Sequence, residues 1–295
     1  MQFYYRKVRF VIYLKSIVCG GGLMNKKLGL IGIICCFMLC FLTACTASNE
    51  VSYTKLEKIY IGSDNYPPFV YLDSSGNPTG IDVDIATEAF KRMGYEATFV
   101  TIDWVKKTEL LNNGDIDCIW GCFSISGRED DYLWAGPYML SRQVVAVNNT
   151  SDIYSLSDLR GKVVAVQTTT KPEEIFLNKL DSRIPELKNV ISTDTRNVQY
   201  AALDCGYVDA IASHETAILQ YMKDYGADFR ILDDALFTTG IGVAFSKNDK
   251  RGLNEELTRV FEEMRNDGSM EEIVGKYLDN PTSFLEVDSL ENEED

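Results

Sequence analysis

The chain has 295 residues, enough for two lobes with separate cores, and its 45% hydrophobic and 25% charged residues are ordinary for a globular protein. Its formal net charge of −15 argues against nucleic-acid binding, because such an acidic protein cannot neutralise phosphates in bulk. The single histidine, His214, excludes an HExxH zinc site and makes any Ser-His-Asp triad depend on one side chain.

Residues 1–44 are typical of a leader for export. Two lysines precede the apolar run LGLIGIICCFMLC, and the stretch LTAC that ends at Cys45 is similar to a bacterial lipobox. That resemblance implies cleavage before Cys45 and lipidation of its thiol; an uncleaved membrane helix is the alternative. Residues 1–23 hold a second basic and apolar stretch, RKVRFVIYLK, so we expect translation to start at Met24 rather than at Met1, with a two-helix membrane anchor as the alternative.

Residues 45–56 are short and polar, as expected of a lipidated tether, and residues 281–295 form an acidic tail that we expect to fray. The cysteines beyond the lipobox are Cys118, Cys122 and Cys205, an odd number without the dense spacing of a disulfide framework. Cys118 and Cys122 are roughly 13 Å apart if the run between them is extended, which is too far for a disulfide. We expect them to be small apolar fillers.

Strand and helix patterns alternate between these two ends. The predicted strands are KIYIGS, EATFVTI, DIDCIW, QVVAVN, KVVAVQ, YVDAIAS, FRIL and GIGVAFS, in chain order. The predicted helices are DVDIATEAFKRMG, VKKTELLNNG, TTTKPEEIFLNKL with a capping box from Thr170 to Glu173, NVQYAALDCG, ETAILQYMKDYG, LNEELTRVFEEMRNDG and SMEEIVGKYL. This alternation predicts an α/β fold with mostly parallel sheets covered on both faces.

Two of the predicted strands share one pattern. GDIDCIWGC, from Gly114, and GYVDAIASH, from Gly206, both have Gly-x-apolar-Asp-x-Ile after a helix, as if one element were used in two lobes. Ligands of open α/β sheets bind beyond the carboxyl ends of the strands. The pattern therefore predicts that Cys122 and His214 lie at equivalent strand ends, on opposite walls of one cleft if the lobes face each other.

The residue types at these strand ends suit a small zwitterion. Arg128, near the hydroxyl of Ser124, can bind a carboxylate through two parallel hydrogen bonds, although it can also be a loop arginine paired with one of the acids that follow it. The N–H groups at the start of TTTKPEE form a second anion site. An α-amino group needs acceptors, for which the Cys122 carbonyl, the Ser124 hydroxyl and the Glu215 carboxylate are candidates.

Several motifs together resemble one protein family. GIDVDIATEAFKRM, SDNYPPFVY, IDWVKKTELLNNGDIDCIWGCFSISGRED, WAGPYM, DLRGKVVAVQ and DGSMEEIVGKYL lie in the order typical of the family 3 solute-binding proteins, the amino-acid receptors of bacterial ABC importers. The resemblance covers residues 58–278. It implies a two-lobed periplasmic-binding-protein fold of type II, with two hinge crossings and a ligand cleft between lobes that close over the ligand.

The same resemblance gives expected domain boundaries. Lobe 1 is expected at 57–137 and 242–280, lobe 2 at 143–236, and the two hinge crossings at 138–142 and 237–241.

The family's ligand contacts map onto aromatic, polar and basic positions of this chain: Tyr66 and Trp104 around the ligand side chain, Cys122 and Ser124 near its amino group, and Arg128, Thr170 and Lys171 at its carboxylate. Asp64 is a further candidate contact. Tyr66 can instead stiffen the Pro67-Pro68 turn, and Trp104 can be ordinary core. One residue is missing from the family pattern between Ser126 and Arg128.

The sequence departs from the family where the ligand's amino group is usually held by an aspartate. His214 stands at that position, with Glu215 beside it. Either Glu215 takes the role or the ligand is not an ordinary α-amino acid. His214 can also be a structural hydrogen-bonding residue, and Glu215 a first-turn acid of the next helix. Cys122 occupies a position where glycine is frequent in the family.

We therefore expect a monomeric, extracytoplasmic binding protein, lipid-anchored through Cys45, that delivers an amino acid or related small zwitterion to an ABC permease. No catalytic residue, metal or cofactor is expected. The alternatives are an enzyme similar to dehydratases of cyclic acids, with His214 and Glu215 as acid and base opposite Arg128, and a ligand sensor acting in trans. The site chemistry permits polar, aromatic or sulfur-containing amino acids.

Overall fold

The computed structural model describes residues 56–288. The predicted leader, signal peptide and lipidation site at Cys45, nearly all of the tether, and the end of the acidic tail lie outside the described residues. Between Leu56 and Asp288, every helix is too short or too polar to cross a bilayer.

The chain alternates strands and helices much as its hydrophobic pattern predicts. The strands are β1 (Glu57–Ser63), β2 (Tyr71–Leu72), β3 (Pro78–Thr79), β4 (Tyr95–Thr101), β5 (Cys118–Ser124), β6 (Leu133–Asn148), β7 (Val163–Gln167), β8 (Asn189–Thr193), β9 (Ala210–His214), β10 (Phe229–Ile231) and β11 (Phe237–Phe245). The α-helices are α1 (Ile81–Arg92), α2 (Lys107–Asn113), α3 (Lys171–Asn178), α4 (Arg196–Asp204), α5 (Glu215–Tyr225), α6 (Leu253–Asn266) and α7 (Ser269–Gly275). Short 3₁₀ helices lie at Trp104–Lys106, Leu156–Leu159 and Pro281–Phe284.

The main sheet has the strand order β4-β1-β5-β11-β6-β9-β7-β8, with β10 paired to β6. Its two outer parts are parallel, since β1 pairs with β4 and β5, and β7 pairs with β8 and β9, in parallel register. At the centre of the sheet, β6 and β11 are antiparallel to each other and to their outer neighbours β9 and β5. The prediction of mostly parallel sheets thus fails at the centre, where β6 is 16 residues long.

The two central strands pair with each other along their length. Met139 of β6 lies opposite Ile241 of β11, and Arg142 lies opposite Thr238, with the intervening residues in register. The two segments predicted as hinge crossings are therefore neighbours that share ladder hydrogen bonds.

The buried residues fall into separate groups at the two ends of this pair. One set, around β1, β5, α1 and α6, includes Ile61, Trp120 and Phe261, with a satellite around Trp104 and Phe123. Two other sets, around β7 and β9, include Val166 and Ala165. The fold is thus two cores joined by β6 and β11, and we refer to the lobe around β1 as the first lobe and the lobe around β7 as the second lobe.

Three local expectations differ from the structure. Strand β5 does not break after Trp120 but continues, fully buried, to Ser124, because β11 pairs with it.

Cys122 has a φ of 49°, the left-handed region that favours glycine, and its N–H donates to the buried carboxylate of Asp82 at 2.8 Å. The glycine frequent at this position in the family therefore has a backbone reason.

The capping box predicted at Thr170 is wrong in detail. Thr170 is the N-cap of α3, but its hydroxyl donates to the carbonyl of Gln167, and the Glu173 carboxylate accepts from the N–H of Thr169. Thr169 has a φ of 61°, so this left-handed residue turns its own N–H toward Glu173.

Residues 281–288, the described part of the predicted acidic tail, pack against the first lobe instead of fraying. Phe284 and Leu285 pack against the first-lobe core, and Val287 is buried. These apolar side chains hold the chain down as far as the described residues reach.

Candidate functional site

A cavity lies where the ends of β5, β7 and β9 meet the start of α3 and α4. Its empty space is about 360 Å³, a figure that includes the open mouth. Eight of the ten predicted site residues line it: Tyr66, Trp104, Cys122, Ser124, Arg128, Thr170, Lys171 and His214. Asp64 and Glu215 are not part of the lining.

Arg128 is a half-buried cation without an acid partner. Its Nη1 donates to the carbonyl of Ser124 at 3.4 Å, and its guanidinium carbon lies 5.2 Å from the centroid of the Phe123 ring. Glu129, a possible loop partner, instead accepts from the N–H of Gly127. Within residues 56–288 no carboxylate lies within ion-pair distance of Arg128, and burial lowers its pKa. The guanidinium is thus available to an anion in the cavity.

The start of α3 faces the Arg128 loop. A Cβ built on Gly127 would come within 2.3 Å of Lys171 Nζ, so the loop and the helix start approach closely. Lys171 Nζ pairs with Glu174 at 3.0 Å. The N–H groups of Thr170 and Lys171 meet no acceptor in the described part of the chain, as expected at the first turn of a helix.

Two predicted aromatic residues form part of the lining. Tyr66 and Trp104 are 1% and 4% exposed. The Tyr66 hydroxyl lies 3.3 Å from Ser213 Oγ of the second lobe, and Trp104 packs edge-on against Phe123. One face of the Tyr66 ring is covered by the guanidinium of Arg196, whose central carbon is 3.3 Å from the ring centroid. The predicted aromatic sandwich therefore has an arginine within it.

Arg196 links the lobes through Asp64. It is the first residue of α4, is 5% exposed, and its Nη1 donates to Asp64 Oδ2 at 2.6 Å. Gln167 Nε2 donates to the same oxygen at 3.0 Å. Burial is the largest single influence and opposes the charge of Arg196, but the attractions of Asp64, Tyr66 and Tyr200 together hold the Arg196 pKa above its ordinary value.

His214 is buried and neutral. Its Nδ1 lies 2.6 Å from Ser141 Oγ and its Nε2 lies 2.7 Å from Gln143 Nε2, so both ring nitrogens have partners inside the protein. Burial lowers its pKa to about 3. Glu215 forms an ion pair with Arg142, whose Nη1 is 3.0 Å from both carboxylate oxygens. Neither residue brings a negative charge to the cavity.

Three glutamine side chains that were not predicted from the sequence also line the cavity. Gln143, Gln167 and Gln199 are buried, and the Oε1 of each has no hydrogen-bond partner in the described residues. Gln143 and Gln167 lie at the ends of predicted strands, where a polar residue normally marks the edge of the core. Gln199 follows Arg196 by three positions, so both lie on one face of α4.

Lys107 is a second buried cation beside the cavity. Its side chain is 5% exposed, and its Nζ donates to Thr169 Oγ1 of the second lobe at 2.8 Å. The Nζ also lies over the Trp104 ring, 4.8 Å from its centroid. Burial, and then the charge of Arg128, lower the Lys107 pKa to about 7.

The profile of the bacterial extracellular solute-binding proteins, family 3, matches residues 59–280. The chain belongs to this family. The histidine-binding periplasmic protein of Salmonella typhimurium is 34% identical over 239 residues, which are 76% of this chain and 88% of that protein.

Solved structures of two amino-acid-bound binding proteins share the fold. An ancestral arginine-binding protein bound to arginine has a TM-score of 0.68 and 28% identity, over 75% of this chain and 98% of that one. A Streptococcus pneumoniae ABC uptake transporter substrate-binding protein with bound histidine has a TM-score of 0.69 and 25% identity, over 75% and 92% of the two chains. The predicted family, the two-lobed α/β fold and a solute-binding function are thereby confirmed.

Proposed function

We propose that this family 3 protein binds an amino acid or a closely related small carboxylate in the cavity between its lobes, and delivers it to an ABC permease outside the cytoplasm. The observation that carries the proposal is Arg128, a half-buried guanidinium that lines the cavity and has no carboxylate partner in residues 56–288. A charge held in this way is stabilised when a ligand brings the missing anion.

The ligand's carboxylate is proposed to lie between the two lobes. Arg128 and Ser124 contribute from the first lobe, and the N–H groups of Thr170 and Lys171 contribute from the second lobe. A ligand that contacts both lobes at once favours the arrangement in which they are close, so binding shifts the population toward the closed form.

We propose that 138–142 and 237–241 are the hinge crossings, with lobe 1 at 57–137 and 242–280 and lobe 2 at 143–236. The direct pairing of β6 with β11 supports these positions, because Met139 and Ile241 belong to the first-lobe core and Val144 belongs to a second-lobe core. Closure then bends the chain at two adjacent segments.

We also propose that Cys45 carries a lipid anchor and that the protein acts as a monomer. The lipobox-like stretch LTAC supports the anchor, and the relatives that are periplasmic binding proteins support the extracytoplasmic location. An extracytoplasmic receptor next to its permease needs such a tether or a confined compartment.

The enzyme alternative is not favoured by any contact of the proposed acid and base. Both nitrogens of His214 are engaged, and Glu215 is held by Arg142 outside the cavity lining. We therefore propose binding without chemistry.

Isothermal titration of the mature protein against the twenty amino acids and cystine tests the proposal. We expect micromolar or tighter binding of at least one compound and its recovery unchanged after incubation. Native mass spectrometry of freshly purified protein gives an independent search for a retained solute. If no amino acid or small carboxylate binds, or if the bound compound is converted, the proposal is wrong.

A further inference from the structure

The cavity has an excess of positive charge. Three of its lining side chains are cations, Arg128, Lys171 and Arg196, and no lining residue is an aspartate or glutamate. Lys107, which is partly protonated at neutral pH because its pKa is about 7, lies behind Thr169, and Thr169 also lines the cavity. A ligand that enters this space meets basic side chains from both lobes.

Each acid near the cavity already contacts a cation or an N–H group. Asp64 Oδ2 accepts from Arg196 and from Gln167, while its Oδ1 has no hydrogen-bond partner in the described residues, and Glu174 accepts from Lys171. Glu173 accepts from the N–H of Thr169. These contacts balance Arg196 and Lys171 in part, whereas Arg128 and Lys107 have no carboxylate within ion-pair distance in the part of the chain that the structure describes.

A ligand with a cationic side chain finds no carboxylate in the cavity lining, and the nearby Asp64 is already paired with Arg196. His214 is neutral, and Glu215 is bound to Arg142. The guanidinium of Arg196 stacks on Tyr66 at the position where a ligand side chain would otherwise pack, and its central carbon is 5.9 Å from the Trp104 ring centroid. Like charges at such distances in a low-dielectric site repel strongly.

We propose that the ligand is a small acid with two carboxylates and a net negative charge; this inference rests on the proposed function of the same cavity. One carboxylate binds Arg128 and the start of α3, and the other lies toward Arg196 and Lys107. Acidic amino acids and simple dicarboxylates share this chemistry. The unpartnered Oε1 atoms of Gln143, Gln167 and Gln199 offer acceptors for an amino group.

Isothermal titration of the wild-type mature protein tests the ligand class directly. The panel is L-glutamate, L-aspartate, glutarate and succinate, with L-glutamine and L-asparagine as neutral isosteres and L-arginine and L-histidine as cationic competitors. We expect one diacid to bind at least tenfold more tightly than its neutral amide and than both cationic amino acids. Tighter binding of glutamate or aspartate than of glutarate or succinate assigns the amino acid, and the reverse order assigns the dicarboxylate.

Two outcomes separate this inference from the proposed function. If glutamine, asparagine, arginine or histidine binds more tightly than every diacid, the inference is wrong and the proposed function stands. If no amino acid or carboxylate binds at all, both are wrong.

Neutralising the charges of the Asp64–Arg196 pair gives a second test. Arg196→Gln frees the Asp64 carboxylate, so we expect at least a tenfold loss of diacid affinity and a gain in affinity for arginine or histidine. The double variant Asp64→Asn with Arg196→Gln should lose that gain. Arg251→Gln is the matched control, because Arg251 is an exposed arginine paired with Asp117 and Asp249 and its loss changes the net charge equally.

Diacid affinity of Arg196→Gln within twofold of the wild type would overturn the role of Arg196. Thermal unfolding of each variant with and without ligand shows whether it folds, and the wild-type panel decides the ligand class in either case.

Discussion

Removing the charge of Arg128 should abolish most of the binding while leaving the fold intact. Arg128→Met keeps much of the side-chain stem that packs near Phe123 but removes the guanidinium. In the wild type that charge is already half-buried without an acid partner, so its desolvation is not an additional cost of binding. Loss of one partner from such a desolvated charged contact costs about 2–5 kcal/mol, or roughly 30- to 4,000-fold in Kd at about 1.4 kcal/mol per factor of ten.

In contrast to ligand affinity, the stability of ligand-free Arg128→Met should not fall. An unpaired, half-buried charge does not stabilise a fold, so Arg128→Met should keep the free energy of unfolding within about 1 kcal/mol of the wild type or raise it. Arg128→Lys should give an intermediate loss of affinity, because it keeps the charge but not the two parallel donors.

The assays are isothermal titration with the best wild-type ligand and urea unfolding without ligand. Unchanged affinity in Arg128→Met would refute the carboxylate assignment. A large fall in stability would show that Arg128 is a structural residue whose missing acid partner does not mark a ligand site.

At pH 8, binding of a diacid should take up nearly one proton, because the bound anion raises the pKa of Lys107 from about 7. Isothermal titration in buffers of different ionisation enthalpy measures this proton uptake. Equal uptake by Lys107→Met would contradict the prediction. The pKa of His214 is about 3 in the folded protein and 6.5 in its ordinary, unfolded state. Between these two pH values the unfolded chain binds a proton at His214 and the folded protein does not. The free energy of unfolding should therefore decrease as the pH falls from 6.5 toward 3. The contribution is about 1.4 kcal/mol per pH unit, and urea unfolding of His214→Gln at pH 6 and pH 4.5 should lack it; the same slope in both proteins would disprove the assignment. Among the described cysteines only Cys205 is exposed, so a thiol reagent followed by peptide mass spectrometry should label Cys205 before Cys118 or Cys122; equal labelling rates would show that the two buried thiols are accessible.

The element order was largely predictable because core strands and amphipathic helices have different periods. The lengths of β6 and β11 were not. The stretch LWAGPYMLSRQ contains glycine, proline and arginine, which locally argue against a strand, and only pairing with β11 over both lobes makes it one. Pairing between segments so far apart in the chain cannot be predicted from the local sequence of either segment.

The residues of the candidate site likewise include some that the sequence predicts and some that it does not. Arg128 was predictable because a cation that directly follows a buried strand needs a reason to be there. Arg196 was not, because polar residues at a helix start are normally solvated; its burial depends on Asp64, 132 residues away in the chain. Eight predicted residues line the cavity, but the contacts that set its charge come from residues that the sequence does not bring together.

The shared ladder between β6 and β11 has a mechanical consequence. Two separate linkers would let the halves of the molecule twist, swing and slide independently. A hydrogen-bonded two-strand ribbon is stiff within its own plane and flexes most easily across it. If the lobes open at the proposed hinge, we therefore expect the mouth of the cavity to widen along one arc, with the ribbon at its closed edge. A solute then has one side from which to enter, and a pair of fluorescent labels placed across that side reports the whole movement as a single distance.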